Sequence, residues 1–254
     1  MLQWFKNRVM HINNTVEKQM EIRYTDAFYS KRANVVTIVN YFNEVAQKAG
    51  KYYDMEKNIL EGESLAWIIL NWDIEISRYP EYLENVTVKT IAHSIDRYIA
   101  FREFIIEDSH KKIIARGRSK WILINLDRRR PAMARDYMYD LYGVTGKESP
   151  FTIKNPPSIN HDQIEPVHLK VSRTDIDNYD HVNNSVYIRW VYNSLPSGFS
   201  EERELCRIRV FYKREIDLGK EIRVYNQYTE NGRILHKITD NSKKTLVLAE
   251  SFWR

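Results

Sequence analysis

Between Thr174 and Trp190 the chain reads TDIDNYDHVNNSVYIRW. This short stretch holds carboxylates at Asp175, Asp177 and Asp180, a phenol at Tyr179, an imidazole at His181 and amides at Asn178, Asn183 and Asn184. Further along, Glu215 closes the run VFYKREI. An imidazole with carboxylates is a proton-transfer set, in which one group takes a proton from water or a nucleophile and another orients it. The apolar pattern after Asn183 predicts a helix starting there. The free N–H groups and positive dipole end of that helix suit a place where negative charge develops. The same residues have a plainer reading, because Asp and Asn ahead of a helix are ordinary caps and turn formers.

Other chemistries are poorly supplied. Cys206 is the single cysteine, so neither an intramolecular disulfide nor a cysteine-based zinc cluster can form, and a reducing cytoplasm is the expected location. The N-terminal MLQWFKNRVMHINN has basic residues but no apolar run, so neither a signal peptide nor a membrane span is expected there. A formal charge of +5 suits an acidic partner without choosing one. The basic residues, densest at Arg128–Arg130, are dispersed and form no recognition motif, which argues against nucleic acid.

The elements that must position these groups come in two similar halves. Met20–Tyr24 reads as a short strand leading into Thr25-Asp26, and Val167–Val171 leads in the same way into Thr174-Asp175, 149 positions later. At that offset Asn34 meets Asn183, and a helix is predicted to begin at each. The first has an apolar stripe at Val35, Ile38, Val39, Phe42, Val45, Ala46 and Ala49, with Gly50 placed as its cap. The second runs to about Ser194, and Pro196 stops it.

Four strand-like runs follow each helix: 65–78, 85–93, 98–106 and 112–125, then 205–215, 220–228, 233–239 and 245–253. Turn signals separate them at Glu107-Asp108-Ser109 and Asn231-Gly232. One helix followed by an antiparallel run of strands, stated twice, is an α+β plan. The simplest burial wraps each sheet around its own helix, with the sheets paired edge to edge or back to back. The stretch 145–165, rich in Pro, Ser, Asn and charge, reads as a linker between units at 1–144 and 166–254.

The string DIDNYDHVNNSVYIRW resembles the acyl-acyl carrier protein thioesterase family of plants and bacteria, in which D-x-D-x-N-x-H-V-N-N enters the helix of the second of two hotdog units. ELCRIRVFYKREI and WILINLDRRRP are similar to two further segments of that family, in the right order. The resemblance implies tandem hotdog units, each an antiparallel sheet wrapped around a central helix. The first would bind the acyl chain and the second would carry the catalytic set Asp177, His181 and Glu215. Ile216 stands where plant members have a cysteine. Two residues before His181 the family pattern has asparagine, whereas this chain has Tyr179, so that either the phenol or the adjacent Asn178 must serve, or activity is impaired. At the 149 offset the first unit has Arg32 in place of His181 and Ser30 in place of Tyr179, which implies a role in shaping the acyl tunnel.

The implied substrate is acyl carrier protein, an acidic partner bearing its acyl chain on phosphopantetheine, and the implied product is a free fatty acid. A thiol leaving group with pKa near ~8.5 departs without a metal, strong acid or cofactor, so what remains is to activate water and hold the oxyanion. Glu215, helped by His181, would activate the water or attack directly. Asp177 would orient its neighbours, and the backbone N–H groups of His181 and Val182 would hold the oxyanion. An acyl-coenzyme A thioesterase and a catalytically impaired acyl- or carrier-binding protein are the alternatives. A homodimer is compatible with the sequence.

Overall fold

The computed structural model describes residues 14–27, 31–52, 60, 62–144, 146, 148–229 and 232–254, with the side chains of residues 50–52 excepted. Eight long strands do most of the work. They are β2 (Leu65–Ile76), β3 (Asn85–Asp96), β4 (Ile99–Glu107) and β5 (Ile113–Asn125), then β8 (Leu205–Tyr212), β9 (Glu221–Tyr228), β10 (Arg233–Asp240) and β11 (Thr245–Trp253). With β1 (Thr15–Glu21) and β7 (Val167–Lys170) they form one antiparallel sheet in the order β1-β3-β4-β5-β2-β8-β11-β10-β9-β7, and the two-residue β6 (Arg130–Pro131) pairs with β5. Each half has the same internal order, its first strand outermost and its second at the centre. The halves meet where β2 pairs with β8, from Asn71 opposite Phe211 to Glu75 opposite Arg207. The two sheets are therefore joined edge to edge.

Helix α1 (Val35–Tyr52) lies against the first half and α3 (Asn184–Asn193) against the second. The 149 offset is structural, since 3-10 turns occupy Tyr24–Asp26 and Arg173–Asp175. Asn34 Oδ1 caps α1 by accepting from Val36 N at 2.9 Å and Thr37 N at 3.1 Å. Asn183 Oδ1 caps α3 by accepting from Ser185 N at 3.0 Å.

Three expectations are corrected. The helix does not stop at Gly50 but continues to Tyr52, because a single helical glycine costs only about 1 kcal/mol against a packed apolar stripe. The strand expected at Met20–Tyr24 lies earlier, at Thr15–Glu21, and Tyr24 sits in the 3-10 turn. The strand expected to reach Glu215 ends at Tyr212. Two short helices were not anticipated, α2 (Asp136–Leu141) and α4 (Phe199–Glu202). Of the expected Asn231-Gly232 turn, Asn231 lies outside the described residues, as does Ser30.

The core runs unbroken beneath both helices. In the first half Phe42 of α1 meets Trp72 and Phe104 at ring-centroid distances of 5.7 and 5.1 Å, all three side chains fully buried. The opposite face of the sheet carries charge. Across the seam Asp73 accepts from Arg207 Nε at 2.8 Å and Arg209 Nε at 3.3 Å, and Glu250 accepts from Arg209 at 2.8 Å and Arg233 at 2.6 Å.

Over this outer face run residues 148–165. Phe151 packs on His93 and Phe101 of the first half, and Asn155 accepts from Asn71 at 2.9 Å near the seam. Ile159 then joins Tyr225 and Leu235 of the second half.

Candidate active site

The loop before α3 is shaped by Asp177. Its backbone N–H donates to His181 O at 2.8 Å, and its Oδ1 accepts from Tyr179 N at 2.9 Å and His181 N at 3.4 Å. The turn closes through Asp180, whose N–H reaches Asp177 O at 3.2 Å and whose φ of 62° lies in the left-handed region that aspartate tolerates better than most residues. An antiparallel bridge between Ile176 and Val182 fixes the base of the loop, and Asn183 N donates to Asp175 O at 3.0 Å.

Glu215 arrives from the other direction. Beyond Tyr212 the chain leaves the ladder, with Lys213 N and Arg214 N both donating to Leu246 O, at 2.8 and 3.2 Å. That departure brings the Glu215 carboxylate to His181, with Nδ1 and Oε2 3.0 Å apart. Both side chains are more than half exposed, so the pair is open to solvent. Ile216 packs partly buried against the core.

Beneath the pair lies Tyr187 of α3, buried and ring-stacked edge-on with Tyr212 at 5.7 Å. Burial, with the nearby Glu215 carboxylate, pushes the Tyr187 phenol well above its ordinary range. Tyr212 donates to Asn184 O at 2.9 Å, tying the helix start to the strand that delivers Glu215.

The two backbone donors expected for the oxyanion are not equivalent. His181 N–H leans on Asp177 Oδ1 at 3.4 Å. Val182 N–H has no hydrogen-bond partner among the described residues. Tyr179 is 59% exposed.

Two residues that sequence reasoning missed come from α1, in the other half. Asn43 Nδ2 donates to Asn183 Oδ1 and Asn184 Oδ1, both at 3.4 Å, and Asn184 Nδ2 donates back to Asn43 Oδ1 at 3.1 Å. One turn further on, Gln47 Oε1 accepts from the Tyr179 hydroxyl at 3.4 Å. These polar positions read as a solvated helix face, and nothing in the sequence links them to a loop 132 positions downstream.

The first half has no such pair at the equivalent place. Ser77 N and Arg78 N both donate to Ile114 O, as Lys213 N and Arg214 N do to Leu246 O, which makes Tyr79 the counterpart of Glu215. Tyr79 is buried and donates to Leu205 O at 2.9 Å, while Arg32, the counterpart of His181, pairs with Glu204 at 3.3 Å. A cavity of about 470 Å³ lies elsewhere, at the β5–β6 corner between Leu65, Tyr98, Arg128, Arg130 and Arg135. Among the described residues no three His, Cys, Asp or Glu side chains are grouped to hold a metal ion. The site is an exposed imidazole–carboxylate pair beside a backbone N–H with no partner among the described residues, an arrangement able to activate water against a carbonyl.

Comparison with known proteins agrees along the length of the chain. The model of the acyl-ACP thioesterase N-terminal domain matches residues 13–142, and that of the C-terminal domain matches residues 159–254. The Arabidopsis thaliana oleoyl-acyl carrier protein thioesterase 2 is 30% identical over 82% of this chain and 61% of its own length. The Coriandrum sativum oleoyl-acyl carrier protein thioesterase is 32% identical over 76% of this chain and 57% of its own. The chain thus spans about 60% of the length of these curated relatives. An acyl-ACP thioesterase of Bacteroides thetaiotaomicron shares the fold at TM-score 0.83 and 20% identity, covering 97% of this chain and all of that one. So does the 12:0-ACP thioesterase of Umbellularia californica, at TM-score 0.83 and 18% identity over 95% and 98% of the two chains.

Proposed function

The chain belongs to the acyl-ACP thioesterase family, and from that premise we propose that it hydrolyses acyl-acyl carrier protein, releasing a free fatty acid. The observation that carries the reading is the 3.0 Å approach of His181 Nδ1 to Glu215 Oε2 beside the start of α3. With Nδ1 paired to the carboxylate at 3.0 Å, Nε2 of His181 serves as the base. It takes a proton from water, and the hydroxide attacks the thioester carbonyl. The oxyanion that forms is met by Val182 N–H. Collapse breaks the C–S bond, and the phosphopantetheine thiolate leaves with the proton returned from Nε2. In this scheme Glu215 orients and stabilises the imidazolium, a shift from its expected role as the base, and Asp177 holds the loop. The first unit, with Tyr79 and Arg32 at the equivalent positions, accommodates the acyl chain.

The test is steady-state hydrolysis of oleoyl-acyl carrier protein by the full chain, with oleoyl-coenzyme A in parallel. His181→Ala is expected to lower kcat roughly 10²–10⁴-fold, and Glu215→Ala to fall in the same range. Near-parental turnover in both variants overturns the assignment, and faster hydrolysis of the coenzyme A ester moves the carrier.

A further inference from the structure

We propose that Gln47, from the helix of the first unit, supplies the side-chain amide that the family pattern places two residues before the catalytic histidine, and that Tyr179 serves to hold it. The inference rests on the thioesterase reading and adds a second donor for the oxyanion. Tyr179 occupies the asparagine position of the pattern but carries a hydroxyl at the end of a long ring. That hydroxyl donates to Gln47 Oε1 at 3.4 Å. With Oε1 engaged and no partner for Nε2 among the described residues, the Gln47 amide can donate.

Neither side chain is buried for packing. Gln47 is exposed and Tyr179 is 59% exposed, so the contact is not a by-product of the core. The geometry on both sides is nevertheless fixed. Asn43, one helical turn before Gln47 and so on the same face of α1, is bonded to Asn183 and Asn184. Tyr179 and His181 share one clasp, because both backbone N–H groups point to Asp177 Oδ1. The α1 face and the catalytic loop are thereby held together, and the amide is carried beside the loop on a rigid element. A neutral amide can donate to the oxyanion without introducing a charge that would compete with Glu215. The backbone offers Val182 N–H, and the side chain would offer the second donor usual for such a hole.

The experiment measures kcat and KM of the full chain on oleoyl-acyl carrier protein for Gln47→Glu, Gln47→Ala, Tyr179→Phe and the double variant Gln47→Ala/Tyr179→Asn, each checked for parental thermal unfolding. Gln47→Glu keeps the size and the acceptor but loses the donor, and its kcat is expected to fall about 10²-fold with KM little changed. Tyr179→Phe, which leaves the amide present but unanchored, is expected to fall less. The double variant puts an amide back at the position of the family pattern and is expected to recover most of the loss of Gln47→Ala. Parental kcat in Gln47→Glu, in a background where His181→Ala is inactive, overturns this proposal and leaves the thioesterase reading standing. So does a double variant no better than Gln47→Ala. A parent chain that hydrolyses no thioester overturns both.

Discussion

At the scale of single residues, the chain contains a second histidine whose environment is opposite to that of His181. His236 is fully buried, with Nδ1 2.7 Å from Asn226 Oδ1 and Nε2 2.7 Å from Ser251 Oγ. Both neighbours are neutral, and burial pulls the His236 pKa down to about 3. The unfolded chain therefore binds a proton between about pH 6.5 and 3 that the folded chain refuses, so stability is full above the upper limit and falls as pH drops through this window. A plot of Tm against pH should decline less between pH 7 and 5 for His236→Gln than for the parent. The difference is at most about 1.4 kcal/mol per pH unit, and parallel curves would remove His236 from the account. Residues of this kind divide sharply in how legible they are. His181, Asp177 and Glu215 announce themselves through type, spacing and resemblance. His236 and Gln47 do not, because their partners lie on other strands and in the loop before α3.

At the scale of elements, periodicity located the two long helices and the eight long strands, and it failed where local bonding overrides it. The run ending at Glu215 has strand character to its last residue, yet the shared acceptor Leu246 O turns Lys213 and Arg214 off the ladder. The sequence carries no sign of that competition. The element contacts themselves are demanding. A Cβ on Gly117 of β5 would lie 2.6 Å from Phe42 Cε2, and the Phe42 ring is held between Trp72 and Phe104. Gly117→Ala should cost roughly 1–3 kcal/mol by forcing that ring off its position, measured by urea unfolding at constant m-value. The β2–β8 seam depends on Asp73, whose side chain is buried while Arg207 and Arg209 keep some solvent. Asp73→Asn should cost roughly 2–3 kcal/mol, less than for a fully buried ion pair because water reaches the arginines. A variant as stable as the parent would mean the outer-face network contributes nothing at the seam.

At the scale of the whole molecule, the two halves are built alike but were legible only in part. The repeat was visible in Thr25-Asp26 against Thr174-Asp175 and Asn34 against Asn183. The edge-to-edge joint was not, since either packing of two sheets satisfies the same alternation. With β2 and β8 paired, neither is an open edge, and separating the units would expose both. Residues 166–254 produced alone should self-associate, which sedimentation velocity can check, and a stable monomer would show that β8 tolerates exposure.

The contrast between Arg32 with Tyr79 and His181 with Glu215 also has an arithmetical consequence. A symmetric pair of identical chains must keep or lose both reaction centres together, whereas two copies joined in tandem are inherited separately and can specialise. Titration of this chain with a non-hydrolysable acyl-carrier analogue should accordingly saturate at one equivalent per polypeptide.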